Sequence, residues 1–285
     1  MRRALVFGGS GQIGASLLAR LQAAQWSVIG VSRNSQPASA GVQWLRGDLS
    51  SVDDLPACVD AIFSCGPLDH FGRWYAESTL DAARVVAFGS TSVDVKASSV
   101  DPAERDLALR LAEGERAVFA AAAIRGAGAT LLRPTLVYGA GRDQTLTRIA
   151  NIARRWGRML LPRDACGLRQ PVHVDDLSAA ALAACDAVAT HGQAYALAGG
   201  ETLQYREMVA RVLAVLQPPA ALIEIPAPLF HAAAWSARML GRTGMGDAVV
   251  ARLRSDLVFD VAPASRAFGY APRAFRPTAD MFKSP

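Results

Sequence analysis

ALVFGGSGQIG, residues 4–14, decides the fold. Four apolar residues run straight into a cluster of glycines. Beyond the cluster, apolar residues recur at Ile13, Leu17, Leu18 and Leu21. The first run predicts a short buried strand over residues 4–7; the second predicts a helix over 13–24, because that spacing lines one helical face. Between them stands a GxxGxxG pattern, Gly8 to Gly14. Glycines let a backbone turn tightly from strand to helix and come close to a pyrophosphate, and the free N–H groups of the helix start can then hold that anion. A strand before the glycines and a helix after them is the context such a site needs. A tight turn with no ligand is the competing reading. Gly8, Ser10, Gly11, Gln12, Ile13 and Gly14 are therefore the first cofactor-binding candidates.

Outward from this turn, strand and helix patterns alternate. Strands are expected at 27–32, 42–45, 61–65, 84–90 and 129–134, with a long helix from the Asp101-Pro102 cap to about 123. Short apolar strands alternating with helices imply a parallel sheet covered on both faces. Further on, helices are expected at 145–156, 174–187, 205–216 and 229–240. Strands are expected at 194–199 and 222–225, and residues 159–174 read as a loop.

Composition narrows the function classes. A chain of 285 residues, 51% of them hydrophobic, can build a sizeable core. No long apolar run free of charge and proline is present, and the first one stops at Phe7, so neither a membrane span nor a signal peptide is expected and a cytoplasmic protein is. The net charge is +5, yet the basic residues are scattered and not interleaved with aromatics, which argues against nucleic acid. Only Lys96 and Lys283 are lysines; the remaining arginines suit a phosphorylated small-molecule ligand. Cys58, Cys65, Cys166 and Cys185 form no CxxC pair and are expected as free thiols, with no metal site.

The second strand ends Val31-Ser32-Arg33-Asn34. An acidic residue here would bind the ribose of NAD; its absence, with Ser32 and Arg33 in place, points to the 2′-phosphate of NADP, NAD remaining open. Arg33 lying idle in solvent is the alternative. Asp48, after the third strand, either meets the adenine or caps its own turn. Leu49 beside it, and Cys65, Gly66 and Pro67 after the fourth strand, extend the cofactor-binding set.

Taken in order, GGSGQIG, GDLSSVDDL, FGSTSV, LLRPTLVYGAGRD, QPVHVDDLSAAALAA and FGYAPRAF resemble the extended short-chain dehydrogenase/reductase family, the NAD-dependent epimerase/dehydratase group that acts largely on nucleotide sugars. The resemblance implies an α/β fold: a Rossmann-type, doubly wound parallel sheet with a smaller C-terminal substrate-binding lobe. The first would span residues 1–136, completed by about 171–199; the second would take 137–170 and 200–285. By match to the motifs, Ser90 would hydrogen-bond the substrate, Pro134 would line the nicotinamide, and Tyr138, Arg142 and His173 would face the cleft. Each has a plainer reading: a packing tyrosine, a surface arginine, a helix-capping histidine. Helices on the first lobe would support a homodimer.

One feature departs from that family. Its members usually carry Tyr-x-x-x-Lys on the helix after the serine, where the lysine lowers the tyrosine pKa and the phenol exchanges a proton as hydride moves. No tyrosine stands between Tyr75 and Tyr138. Aligned on Glu115, the two positions hold Leu107 and Leu111; shifted by one, they hold Asp106 and Arg110, which suit an exposed ion pair. Candidates for a replacement relay are Tyr138, His70 in a loop after the fourth strand, Asp69, Asp94 and Lys96. Two functions stay open: an NAD(P)-dependent oxidoreductase or epimerase acting on a nucleotide sugar or another phosphorylated carbonyl or hydroxyl compound, and a non-catalytic NADP(H)-binding sensor or scaffold.

Overall fold

The computed structural model describes residues 1–37, 41–230 and 247–283. The glycine turn joins β1 (Arg3–Phe7) to α1 (Gln12–Ala23). β2 (Ser27–Ser32), β3 (Val42–Arg46), β4 (Cys58–Ser64), α2 (Leu68–Glu77) and β5 (Asp81–Phe88) follow. Then come α3 (Ser92–Val95), α4 (Pro102–Arg125) and β6 (Gly128–Pro134). α6 (Val174–Asp186) leads into β11 (Gln193–Leu197), the seventh strand of the sheet. The order is β11-β6-β5-β4-β1-β2-β3 with every pair parallel, a doubly wound Rossmann sheet.

The alternation in β1 shows why both faces are buried. Ala4 and Val6 enter the core under α1 and α6, beside Leu17, Leu21, Leu177 and Ala181. Leu5 and Phe7 enter the opposite core, with Phe71 and Tyr75 of α2 and Val118 of α4. Strands buried on both faces read as continuous apolar runs.

The remaining elements lie between β6 and β11 and after β11. They are β7 (Val137–Tyr138), α5 (Leu146–Trp156), β8 (Arg158–Pro162), β9 (Leu168–Arg169) and β10 (Val172–His173). After β11 come β12 (Leu203–Gln204), α7 (Tyr205–Ala214), β13 (Ala221–Ile225), α8 (Asp247–Arg254) and α9 (Ala262–Phe268). Leu146, Ile149 and Ala153 of α5 meet Met208, Val212 and Leu213 of α7, with Tyr138, Phe275 and Phe282, in a separate core.

Two expectations change. Residues 159–174 are not one loop: β8 pairs in parallel with β13 and β10 in parallel with β7, while β9 pairs antiparallel with β12. Those partners are distant in sequence, so local patterning carries no trace of them. His70 is not in a loop but on α2, whose buried Leu68, Phe71, Gly72 and Tyr75 keep helical spacing. The helix expected at 229–240 falls mainly on residues outside those described.

α2 crosses α4 at two glycines. A Cβ on Gly72 would lie 2.7 Å from the Gly114 carbonyl oxygen, and one on Gly114 would lie 2.7 Å from that of Leu68. Backbone on both sides leaves nothing flexible to move aside. Overpacking of this kind costs roughly 1–3 kcal/mol, and alanine's helix propensity returns at most about 1. Gly114→Ala is therefore expected to destabilise the protein by about 2 kcal/mol net. An unchanged urea midpoint would show that the helices can part without cost.

Candidate functional site

The glycine turn is held from two sides. Gly11 N–H donates to the Gly8 carbonyl at 2.9 Å, and Cys65 N–H, past the end of β4, donates to the Phe7 carbonyl at 2.9 Å. Gly8 sits at φ +69°, and a Cβ there would lie 3.0 Å from the Cys65 carbonyl carbon. The Cys65 thiol is pushed up to about 12 by burial, which makes it a packing group and not a nucleophile. A Cβ on Gly14 would overlap the Gly8 carbonyl oxygen. Two of the glycines thus serve the turn's own packing. Gly11, the N-cap, offers no side chain to α1, and no acidic residue occupies its first turn. The N–H groups at that helix end keep room for an anion.

Several sequence candidates gather around this turn. Ser10 Oγ lies 3.4 Å from Ser32 Oγ, at the end of β2. Arg33 follows, exposed to solvent. A Cβ on Gly66 would lie 3.1 Å from Leu49 Cδ1, so the segments after β3 and β4 touch. Pro67 is the N-cap of α2. Asp48 Oδ1 accepts from the Ser50 and Ser51 N–H groups at 2.8 and 3.3 Å, which is the turn-capping role. Those bonds, with smaller help from Arg33 and His70, hold its carboxyl below the usual range. His70, on α2, is exposed; Leu68 is the α2 side chain that reaches Gly89.

Ser90 and Pro134 come together where β5 and β6 end. Gly89 N–H donates to the Leu132 carbonyl at 2.8 Å and Thr91 N–H to that of Pro134 at 3.2 Å. Ser90 Oγ accepts from Ser92 N–H at 3.1 Å, which orients the hydroxyl and leaves its proton free to donate. Beneath the loop, Arg133 clasps Glu115 of α4: Nε donates to Oε1 at 2.7 Å and Nη2 to Oε2. Arg133 Nη1 also reaches Asp94 at 3.3 Å. The sequence signal for this clasp was Glu115 itself, three turns into α4 and opposite the arginine of LLRP, but a contact between two distant segments cannot be read from either alone.

Tyr138 and His173 take their plainer readings, and Arg169 and Lys96 are engaged by protein partners. Tyr138 does not face a cleft: it is 1% exposed, edge-on to Phe275 at 4.9 Å and to His173 at 5.1 Å. Burial pushes its phenol up to about 12, unfavourable for a proton relay. His173 caps α6, its Nδ1 accepting from Asp175 N–H at 3.1 Å. Burial lowers its pKa, and Nε2 is enclosed with no hydrogen-bond partner among the described residues, against Gly139. Arg169 is buried, donating to the carbonyls of Leu168 and Ser255 at 2.7 Å each and to that of Arg252, with its guanidinium over Tyr205. Lys96 pairs with Glu104 at 3.6 Å.

On α4 the buried positions include Glu104, Ala108, Glu115 and Val118, with Leu107 and Leu111 half-buried. Asp106 and Arg110 form the expected i,i+4 pair, Oδ2 to Nε 2.9 Å; Arg110 also meets Asp69 of α2 at 3.2 Å.

Arg142 enters from beyond β7 and its Nη1 donates to the Ser10 carbonyl. It stands at one end of a cleft of about 580 Å³ along α5 that also bears Arg148 and Arg155. Asp143 closes the start of α5, taking the N–H groups of Leu146 and Thr147 at 2.5 and 3.0 Å. No group of three His, Cys, Asp or Glu gathers to hold a metal, and no helix is long and apolar enough to cross a membrane, among the described residues.

Residues 4–98 match the NAD dependent epimerase/dehydratase family. Over 94% of its length, and 94% of the relative's, the chain is 27% identical to a 2-alkyl-3-oxoalkanoate reductase of Stenotrophomonas maltophilia. Its fold is shared by epimerase Mth375 of Methanothermobacter thermautotrophicus, TM-score 0.72 at 16% identity, covering 98% of this chain and 90% of that one. A UDP-glucuronic acid 4-epimerase of Bacillus cereus in complex with NAD has a TM-score of 0.70 at 13% identity, with 98% and 94% covered.

Proposed function

We propose that this chain, which carries an NAD dependent epimerase/dehydratase domain over residues 4–98, is an NADP-dependent oxidoreductase acting on the carbonyl or hydroxyl group of an anionic small molecule. The observation that carries the reading is the dinucleotide cradle: an uncapped α1, with Ser32 and Arg33 set at the end of β2 beside it. Ser90, its hydroxyl oriented by the Ser92 N–H, would donate to the substrate oxygen. NADP, when bound, supplies or accepts the hydride; the chain's part is to hold it and to orient the carbonyl. The cleft bearing Arg148 and Arg155 supports an anionic substrate, a phosphorylated sugar or a carboxylate. The full-length likeness to a reductase of 2-alkyl-3-oxoalkanoates supports reduction of a carbonyl.

The lack of tyrosine and lysine in either register, Leu107 and Leu111 or Asp106 and Arg110, favours a second reading, a protein that binds NADP(H) without turnover. One experiment separates the two. Purified protein is titrated with NADPH and NADH by tryptophan-to-nicotinamide energy transfer, then given a panel of keto nucleotide sugars and 3-oxoacids with NADPH, and of the matching hydroxyl compounds with NADP+ to follow its reduction. Tight binding with NADPH consumption or NADP+ reduction carries the oxidoreductase. Tight binding without either on the whole panel leaves the sensor, and no binding sinks both.

The cofactor preference has its own test. Arg33→Asp removes a cation from the 2′-phosphate and offers a carboxylate to a ribose hydroxyl. NADPH affinity is expected to fall at least about tenfold, one charge-assisted hydrogen bond, while NADH affinity holds or rises. Equal losses for the two nucleotides would mean that Arg33 does not read the phosphate.

A further inference from the structure

Arg142 is the one functional candidate whose contact crosses from the segment after β7 to the glycine turn. Its backbone is presented by fixed neighbours. Gly141 N–H donates to the Met281 carbonyl at 2.9 Å, and Asp143 is tied into the first turn of α5. Gly139 and Gly141 sit at φ +115° and +65°, a path that side-chain-bearing residues rarely follow, so the chain between them is built to turn here. The side chain is exposed and, among the described residues, no carboxylate pairs with it; its partner is the neutral carbonyl of Ser10. A full cation thus rests on a neutral acceptor at the rim of a turn whose N–H groups suit a dianion.

We propose that Arg142 is a cofactor residue: it closes over the pyrophosphate of the bound dinucleotide, exchanging the Ser10 carbonyl for a phosphate oxygen. This rests on the reading of the glycine turn as a dinucleotide site. Two observations favour cofactor over substrate for this arginine. Its hydrogen bond is to the turn itself, whereas Arg148 and Arg155 stand further along the cleft. And Asp143 already fills the start of α5, so a substrate phosphate beside Arg142 would meet a carboxylate instead of free N–H groups. The guanidinium's planar fork can take phosphate oxygens in pairs. Cofactor binding would then draw the segment after β7 and the start of α5 onto the first lobe, and shape the substrate cleft only once the nucleotide is in place.

The test uses the full chain and two ligands, followed by calorimetry: NADPH, and adenosine 2′-monophosphate, which keeps the adenine and 2′-phosphate but carries no phosphate at the 5′ position. Wild-type protein must bind NADPH; if it does not, the dinucleotide reading fails, and this proposal with it. Given wild-type binding, Arg142→Ala is expected to weaken NADPH about tenfold to a hundredfold, the range of one or two charge-assisted bonds, and to leave the monophosphate within about twofold. Arg142→Lys should recover part of the loss. NADPH affinity unchanged in Arg142→Ala overturns the clamp. So does an equal loss for both ligands, which would mean that Arg142 only braces the turn.

Discussion

Gly14→Ala is expected to lose NADPH binding by at least about a hundredfold and to destabilise the protein by about 3 kcal/mol, the upper end for a forced overpacking of backbone against backbone. Its Cβ would overlap the Gly8 carbonyl oxygen and stand 2.7 Å from Gly9 Cα, so α1 could not pack on the turn that precedes it. Shifting α1 misaligns the N–H groups that meet the pyrophosphate and opens the contacts of Leu17, Leu18 and Leu21 with the sheet. Gly11→Ala is the informative companion. Its Cβ would meet only the Gly8 carbonyl oxygen, at 3.0 Å, a contact that a small adjustment relieves. Stability in Gly11→Ala is therefore expected within about 1 kcal/mol of wild type, as for a mild backbone contact. Lost NADPH affinity in that variant would show a pyrophosphate lying against Gly11. A Gly14→Ala protein with wild-type melting and wild-type titration would show that the turn tolerates a side chain there, and the packing reading would fall.

Glu115→Ala is expected to cost about 3 kcal/mol, because it leaves the Arg133 guanidinium without its main partner in a largely buried position. Glu115's side chain is 8% exposed and Arg133's 23%, so the arginine can neither follow its partner out nor be fully hydrated where it is. Asp94, 57% exposed, offers a weaker contact at 3.3 Å that salt and water screen. Glu115→Gln should lose less, about half, since the amide oxygen still accepts one of the two bonds. The functional consequence sits next door. A Cβ on Gly89 would lie 3.5 Å from Glu115 Oε1, so the clasp lies directly under the Ser90 loop. Where the protein turns over, Glu115→Gln is expected to lower kcat more than it raises KM, by loosening Ser90 without touching the cleft. Chemical denaturation of the single variants and of Glu115→Ala/Arg133→Met checks the energetic claim. A double variant no more stable than Glu115→Ala would show that the uncompensated arginine is not the source of the loss.

Much of the first lobe was legible because its signals are local. ALVF followed by glycines at fixed offsets, then Ile13, Leu17 and Leu21 on one helical face, specifies a strand, a turn and a helix within 20 residues, and each repeat of that pattern adds a parallel strand. The Asp101-Pro102 start of α4 is likewise local; Asp101 accepts from Ala103 N–H at 2.9 Å. α2 carried a helical pattern that its glycine and aromatic content disguised, and only its crossing with α4 at Gly72 and Gly114 explains why a glycine sits mid-helix.

What the sequence by itself determined is a parallel sheet covered on both faces and the tight glycine turn at its centre, since both follow from the period of apolar residues and from glycine's conformational freedom. What only the tertiary structure decided is the orientation of side chains within motifs. Tyr138 and His173 stand in motif positions that point to a cleft, but the β7–β10 pairing sets them side by side and Phe275, more than 130 residues from Tyr138, seals them in. Arg142, read from its motif as a cleft residue, reaches Ser10, which precedes it by 132 residues. Contacts of that range depend on how the later segments fold back over the sheet. Their energy comes from burial and pairing between elements, and no window of neighbouring residues contains it.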